Sequence, residues 1–321
     1  MQPVDILMLK AMHPGVMSAV EARFTLHRLD LAPDPEAFFQ EIGPRIRGLA
    51  TGAQAPVDRA LIARLPTLEI VASLGVGYDT IDTGAARERG IVVTHTPDVL
   101  TDEVADLALG LLLATVRQIP QADRYLRAGH WPRQTYPLTP TLRGRTVGIL
   151  GLGRIGRAIA TRLEGFGVAI AYHGRRRQPG VAYDYHPTLL GLAEAVNVLL
   201  VVAPGGPETT GLVDAAVLEA LGPQGLVVNV ARGSIIDEAA LIQALQAGTI
   251  LGAGLDVFAR EPHVPPELIA MEHVVLLPHV GSASVHTRAA MGKLVVDNLT
   301  AWFDGRGPLT PVPETPWTTR P

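Results

Sequence analysis

Short runs of aliphatic and β-branched residues alternate with stretches of helical spacing along almost the whole chain. Before residue 100 the runs are DILML, FTLHRL, GLAT, LEIVASL and GIVVTH, an alternation that predicts an α/β fold. A longer helix follows. Thr101 is its expected N-cap, Asp102 and Glu103 lie in its positive first turn, and Val104, Leu107, Leu111 and Leu112 make its apolar face. This helix is expected to carry the chain into a second domain. Beyond AGHWPRQTYPLTPTLRG, which is rich in proline, threonine and aromatics, six further runs (TVGIL, VAIAYH, VNVLLVVAP, GLVVNVA, ILGAGLDV and HVVLLP) predict a doubly wound sheet. From about Ser284 the spacing turns helical again and is expected to return to the first domain, and PLTPVPETPWTTRP after it reads as a loose, proline-rich end.

Composition narrows this picture. A chain of 321 residues, 47% hydrophobic and 18% charged, can bury two ordinary cores. It has no cysteine, which excludes disulfides, thiolate nucleophiles and cysteine-ligated metals, and no metal site is expected. With 27 basic against 31 acidic side chains there is no overall attraction to nucleic acid or to an anionic membrane. MQPVDILMLK reads as a first strand, not a signal peptide. The longest apolar run, Leu107 to Val116, is about half of the roughly 20 residues a membrane helix needs, so a soluble cytoplasmic protein is expected.

Candidate chemistry begins at TVGILGLGRIG, where Gly151, Gly153 and Gly156 fit G-x-G-x-x-G between an apolar strand and the helical stretch RAIATRLEGFG. In that setting Gly151 permits the turn, Gly153 lets a pyrophosphate approach the backbone, and Gly156 lets helix and strand pack closely, with helix N–H groups offered to the anion. The alternative is a packing turn without a ligand. An enzyme selecting NAD is expected to carry an acidic residue about 20 residues on, to grip the ribose 2′-hydroxyl. Here the next strand instead runs into Gly174, Arg175, Arg176 and Arg177, and guanidinium groups suit a 2′-phosphate. NADP(H) is therefore the expected cofactor, with NAD(H) possible, and a solvated basic loop is the alternative reading of the arginines.

Three polar residues follow successive strands of the second series: Arg232 after LVVNVA, Glu261 after GLDVFARE and His279 after HVVLLP. Ligands bind at that edge of such sheets. Hydride delivery to a keto carbon leaves negative charge on oxygen, which needs a proton donor and a fixed positive group, and His279 and Arg232 are the candidates. Glu261 would hold the imidazole by one nitrogen and favour its protonated form. Singly, each residue also fits an ordinary strand-end or loop role.

Together, GLGRIG, VNVARGSIIDEAALIQAL, GAGLDVFAREP and LLPHVGSAS, with ASLGVGYDTID and THTPDVLTDEVADLALGLLL before them, resemble the successive signatures of the D-isomer-specific 2-hydroxyacid dehydrogenase family over nearly the whole chain. That resemblance implies two doubly wound parallel-sheet domains with a cleft between: a flavodoxin-like substrate-binding domain, residues 1–99 and 285–321, and a Rossmann nucleotide-binding domain, residues 100–284. It implies that Arg232, Glu261 and His279 are the family's arginine, glutamate and histidine. Backbone N–H groups of Leu74, Gly75, Val76 and Gly77, with Arg232 and His279, would bind the substrate. The implied cofactor set is Gly151, Leu152, Gly153, Arg154, Ile155, Gly156, Gly174, Arg175, Arg176, Pro204, Thr209, Val230, Ala231, Arg232, Asp256, His279 and Gly281, with Asp256 on the nicotinamide amide.

TPDVLTDEVAD, HVGSAS and the arginine-rich strand end are similar to the NADPH-preferring glyoxylate, hydroxypyruvate and hydroxyphenylpyruvate reductases of that family, more than to phosphoglycerate or formate dehydrogenases, and at this length no added regulatory domain is expected. The implied activity is reduction of small 2-keto acids to D-2-hydroxy acids, with a homodimer as the usual assembly. Two alternatives are an NAD-dependent dehydrogenase of larger acids, such as 2-ketogluconate or branched-chain acids, and a dinucleotide-sensing binding protein without turnover. Gly174 departs from the small hydroxyl residue common in relatives, which removes one phosphate contact. Tyr136 falls roughly where some relatives place a tryptophan that closes the neighbouring subunit's pocket, and interface packing is its other reading.

Overall fold

The computed structural model describes residues 3–52 and 55–317. Its strands and helices fall into two units, one of Met1–Leu100 with Ser284–Pro321 and one of Thr101–Ala283.

The first unit begins with β1 (Asp5–Met8), α1 (Pro14–Glu21), β2 (Thr25–Arg28), α2 (Pro35–Glu41), β3 (Ile46–Gly52), α3 (Arg59–Ala63), β4 (Ile70–Leu74), α4 (Thr83–Glu88) and β5 (Val92–Thr94). Its five strands are all parallel in the order β2-β1-β3-β4-β5, so the five apolar runs before residue 100 all become strands. Several of the short helices start on an aspartate whose carboxylate accepts N–H groups of the first turn: Asp34 at α2, Asp58 at α3 and Asp82 at α4.

The second unit opens with α5 (Thr101–Arg117) and α6 (Ile119–Arg127). Thr101 is the first helical residue of α5 and not its cap, while Val104, Leu111 and Leu112 are buried and Leu107 is half-buried. Then come β6 (Thr146–Leu150), α7 (Arg154–Glu164), β7 (Ala169–His173), β8 (Asp184–His186), α8 (Leu189–Ala195), β9 (Val198–Val201), α9 (Ala215–Leu221), β10 (Leu226–Asn229), α10 (Glu238–Gln246), β11 (Gly252–Leu255), α11 (Pro266–Ala270) and β12 (Val274–Leu276). The sheet is parallel throughout, in the order β12-β11-β10-β9-β6-β7-β8. It has seven strands where six were expected. The extra one, β8, is a three-residue edge strand of polar and aromatic residues, too short and too polar to show as an apolar run.

The last helix, α12 (Val285–Phe303), belongs to the first unit, is capped by the Ser284 hydroxyl, and packs against β4 and α1. The tail beyond it is not the loose end expected. Val312 is fully buried and its N–H donates to Val93 O (2.9 Å), while Val93 N–H donates to the Thr315 hydroxyl (2.9 Å). Pro311 bridges antiparallel to Thr94. Prolines there suit an edge that needs few N–H donors. The final four residues of that stretch, 318–321, lie outside the described ones. Among the described residues no helix is long and apolar enough to cross a membrane.

Candidate active site

In the second unit the strands end almost level, since Leu150 pairs with His173 and Val201, Val201 with Asn229, Asn229 with Leu255, and Leu255 with Leu276. Because every strand is parallel, the segments that follow these residues emerge along one edge. They carry Gly151, Gly174, Pro204, Arg232, Asp256 and His279. The chain order reverses at β6, between β7 and β9, and the crevice of a doubly wound sheet opens there.

The glycine turn sits at that point. Gly151 has φ 101°, and its N–H donates to His173 O (2.9 Å). A Cβ on Gly156 would lie 2.2 Å from Gly151 O, so only glycine lets α7 approach the end of β6 this closely. Gly153 differs: it is exposed, it is the N-cap of α7 with no side-chain cap, and a Cβ built on it meets nothing within 4 Å. Two glycines therefore close the turn and the third leaves an open cradle over a helix N-terminus, which fits a dinucleotide pyrophosphate. Leu152 is buried, Ile155 is half-buried and Arg154 is exposed.

The basic loop after β7 is pinned at both ends. The buried Tyr172 hydroxyl accepts Gln178 N–H (2.8 Å), and the Tyr185 hydroxyl donates to Gly174 O (3.3 Å). Between these anchors Arg175, Arg176 and Arg177 are exposed. The Thr209 hydroxyl closes the Pro204 loop by donating to Pro204 O (2.8 Å).

Arg232, Glu261 and His279 form the polar part of the edge. His279 Nδ1 lies 2.6 Å from Glu261 Oε2, and Glu261 Oε1 accepts Phe258 N–H (3.1 Å). His279 has φ 54°, in the left-handed region where a non-glycine residue needs support. Asp256 supplies that support. Its backbone carbonyl accepts His279 N–H (2.8 Å), and its carboxylate accepts Val280 N–H (2.7 Å) and Gly281 N–H (2.8 Å). The Asp256 residue is only 1% exposed, and burial pushes its carboxyl above the usual carboxylate range against the opposing pull of those two N–H groups.

Arg232 is half-buried and one guanidinium nitrogen, Nη1, donates to Ala231 O (2.8 Å). Val230 and Ala231 beside it are buried. Two residues not singled out from the sequence hold this corner. Buried Asn229 donates to Arg232 O (2.9 Å) and accepts Ala231 N–H (3.0 Å). Gly233 is the other: a Cβ there would lie 1.9 Å from the Phe258 carbonyl carbon, so glycine lets the Arg232 corner pack directly on the segment leading to Glu261. The visible signals were an asparagine ending an otherwise valine-rich strand and a glycine directly after the arginine. Among the described residues no group of three His, Asp or Glu side chains could hold a metal ion.

The Tyr136 hydroxyl donates to Gln118 Oε1 (3.2 Å) and its ring packs edge-on against Tyr125. In the first unit, Leu74 ends β4, and Gly75, Val76 and Gly77 form the loop beyond it.

This geometry matches known proteins closely. Residues 109–281 match the family model for the NAD-binding domain of D-isomer-specific 2-hydroxyacid dehydrogenases. Glyoxylate/hydroxypyruvate reductase A of Arabidopsis thaliana is 47% identical over 97% of this chain and 100% of its own length. Hydroxyphenylpyruvate reductase of Plectranthus scutellarioides is 45% identical over 97% of this chain and 100% of its own. The crystal structure of an NADPH-dependent glyoxylate/hydroxypyruvate reductase from Sinorhizobium meliloti, in complex with NADP and malonate, superposes with a TM-score of 0.93 at 51% identity over 100% of both chains. With its glycine turn, its histidine–glutamate pair and such identity over full lengths, the chain belongs to the D-isomer-specific 2-hydroxyacid dehydrogenase family.

Proposed function

We propose that the protein reduces small 2-keto acids, glyoxylate and hydroxypyruvate first among them, to D-2-hydroxy acids with NADPH. The observation that carries this reading is the His279–Glu261 pair, 2.6 Å apart, on the same sheet edge as the open cradle at Gly153. The reductase relatives above, one of them in complex with NADP, support it.

When bound, the nicotinamide dinucleotide supplies the hydride. Gly153, in the turn that Gly151 and Gly156 close, would seat its pyrophosphate, and Arg175 and Arg176 would receive the 2′-phosphate as paired donors. Asp256 would receive the nicotinamide amide while holding the backbone of residues 279–281. The Val76 and Gly77 amides take the substrate carboxylate. With its Nδ1–H donated to Glu261, the His279 imidazole leaves Nε2–H to give its proton to the substrate carbonyl oxygen as the carbon becomes tetrahedral. The ring ends neutral and takes its next proton from solvent. Arg232 draws the developing charge on that oxygen, and its contact with Ala231 O keeps the guanidinium from swinging away.

The protein acts as a cytoplasmic homodimer in this reading. Ile119, Leu126, Trp131 and Leu138 are large apolar side chains exposed in the second unit, and Leu113, Ile119, Ala122 and Leu126, flanked by Arg117 and Asp123, line a largely apolar groove on α5 and α6. Such a patch marks an interaction surface. A panel of 2-keto acids assayed with NADPH and with NADH tests the activity: glyoxylate or hydroxypyruvate should give the highest kcat/KM, with NADPH preferred. No oxidation of either cofactor by any 2-keto acid would refute it. Light scattering at assay concentration tests the dimer.

A further inference from the structure

The loop after β4 is braced by residues outside it. Thr96 is fully buried; its hydroxyl accepts Gly75 N–H (3.0 Å) and its own N–H donates to Gly75 O (2.8 Å). Both backbone groups of Gly75 are thereby committed. His95 Nδ1 lies 2.9 Å from Val76 O, and its ring packs edge-on against Tyr78 at 5.3 Å. The amides of Val76 and Gly77 have no acceptor among the described residues.

The brace continues into the C-terminal segment. The Thr310 hydroxyl donates to His95 O (2.6 Å), and His95 N–H donates back to Thr310 O (3.2 Å). Asn298 in α12, 1% exposed, donates to the Thr310 hydroxyl (3.0 Å) and accepts Leu309 N–H (2.9 Å) and Thr310 N–H (3.1 Å). The Tyr78 hydroxyl donates to Glu314 (3.0 Å). Burial and that carboxylate push the phenol up to about 12, so it remains a donor at neutral pH.

We propose that Thr96 and His95, tied through Thr310 and Asn298 to the C-terminal segment, are positioning residues for the substrate: they fix Gly75 and the Val76 carbonyl so that the Val76 and Gly77 amides stand ready for a carboxylate. This rests on the reductase reading above. A buried hydroxyl and an imidazole spent on one short loop, with a tail that folds back onto Asn298 from 11 and 12 positions further along to hold them, is more polar investment than chain reversal requires. Hydrogen bonds committed in this way leave little freedom to lose when the anion binds.

The test compares Thr96→Val, Thr96→Ser, His95→Phe and Thr310→Val. Thr96→Val keeps the shape but removes the acceptor, and should raise the KM for glyoxylate about tenfold, leaving kcat and the KM for NADPH within about twofold. Thr96→Ser should restore the KM. His95→Phe keeps the ring against Tyr78 and should raise the KM as well, as should Thr310→Val, which covers the case in which Thr96→Val does not fold. Amide shifts of Val76 and Gly77 on titration with oxalate give a readout independent of turnover. Wild-type KM and oxalate affinity in Thr96→Val, or equal values in the valine and serine variants, would overturn the inference, as would oxalate leaving both amides unmoved in the wild type. If oxalate moves them in a wild type that reduces no keto acid, the reductase reading fails while the braced anion site stands.

Discussion

Gly153 and Gly156 make opposite predictions although they lie three residues apart in one turn. A Cβ on Gly156 would sit 2.2 Å from Gly151 O, well inside the 3.0 Å that real Cβ atoms keep, and the obstacle is backbone that cannot rotate away. Gly156→Ala must push α7 off β6, an overpacking cost of about 1 to 3 kcal/mol. For a unit of this size that lowers the melting temperature by roughly 3 to 10 °C. At Gly153 a Cβ meets nothing within 4 Å, and its φ of −79° suits alanine. The small loss of N-cap preference is offset by reduced unfolded-state entropy, so Gly153→Ala should melt within about 2 °C of wild type. The added methyl nevertheless occupies the space over the helix N-terminus, and the affinity for NADPH should fall at least about tenfold, or 1.4 kcal/mol. Thermal denaturation and titration of reduced-nicotinamide fluorescence read the two quantities separately. Gly153→Ala with wild-type NADPH affinity, or with the instability of Gly156→Ala, would mean the turn is only a packing device.

Further outcomes follow from the same edge. Replacing Arg175 and Arg176 together with alanine should raise the KM for NADPH strongly, since charge-assisted hydrogen bonds contribute about 1.5 to 3 kcal/mol each, while NADH use changes little; equal losses with both cofactors would count against a 2′-phosphate site. His279→Asn keeps a residue tolerant of φ 54° and should bind NADPH normally, yet lower keto-acid turnover by about 100-fold, which stopped-flow and steady-state rates check. Asp256 titrates above its ordinary range in the folded chain, so between its unfolded and folded pKa the native state holds a proton that the unfolded state has lost. Stability therefore falls as pH rises through that window, by at most about 1.4 kcal/mol per pH unit, and the melting temperature of wild type minus that of Asp256→Asn should shrink over it; a difference that grows with pH would refute the assignment.

The alternation of apolar runs with helical spacing is a local property, and it was enough to predict an α/β fold with a doubly wound sheet in its second half; the family resemblance supplied the two-domain organisation. The glycine turn was equally legible because strand, turn and helix are adjacent in the chain, and Arg232, Glu261 and His279 could be nominated because each follows a strand. Only the tertiary structure decided what depends on distant partners. That His279 lies 2.6 Å from Glu261 across 18 residues, in a left-handed conformation held by Asp256, has no local signature. β8 was invisible because its three residues gain strand character from pairing with β7 and not from their own apolarity. The tail after α12 looked loose because its prolines and threonines are polar or helix-breaking in isolation. It is ordered because Asn298, His95 and Val93 meet its backbone and hydroxyls, and Thr315 reaches Val93 from 222 residues away. Periodicity reports which face of an element is apolar; which polar groups are satisfied, and by whom, is settled only when remote segments close on one another.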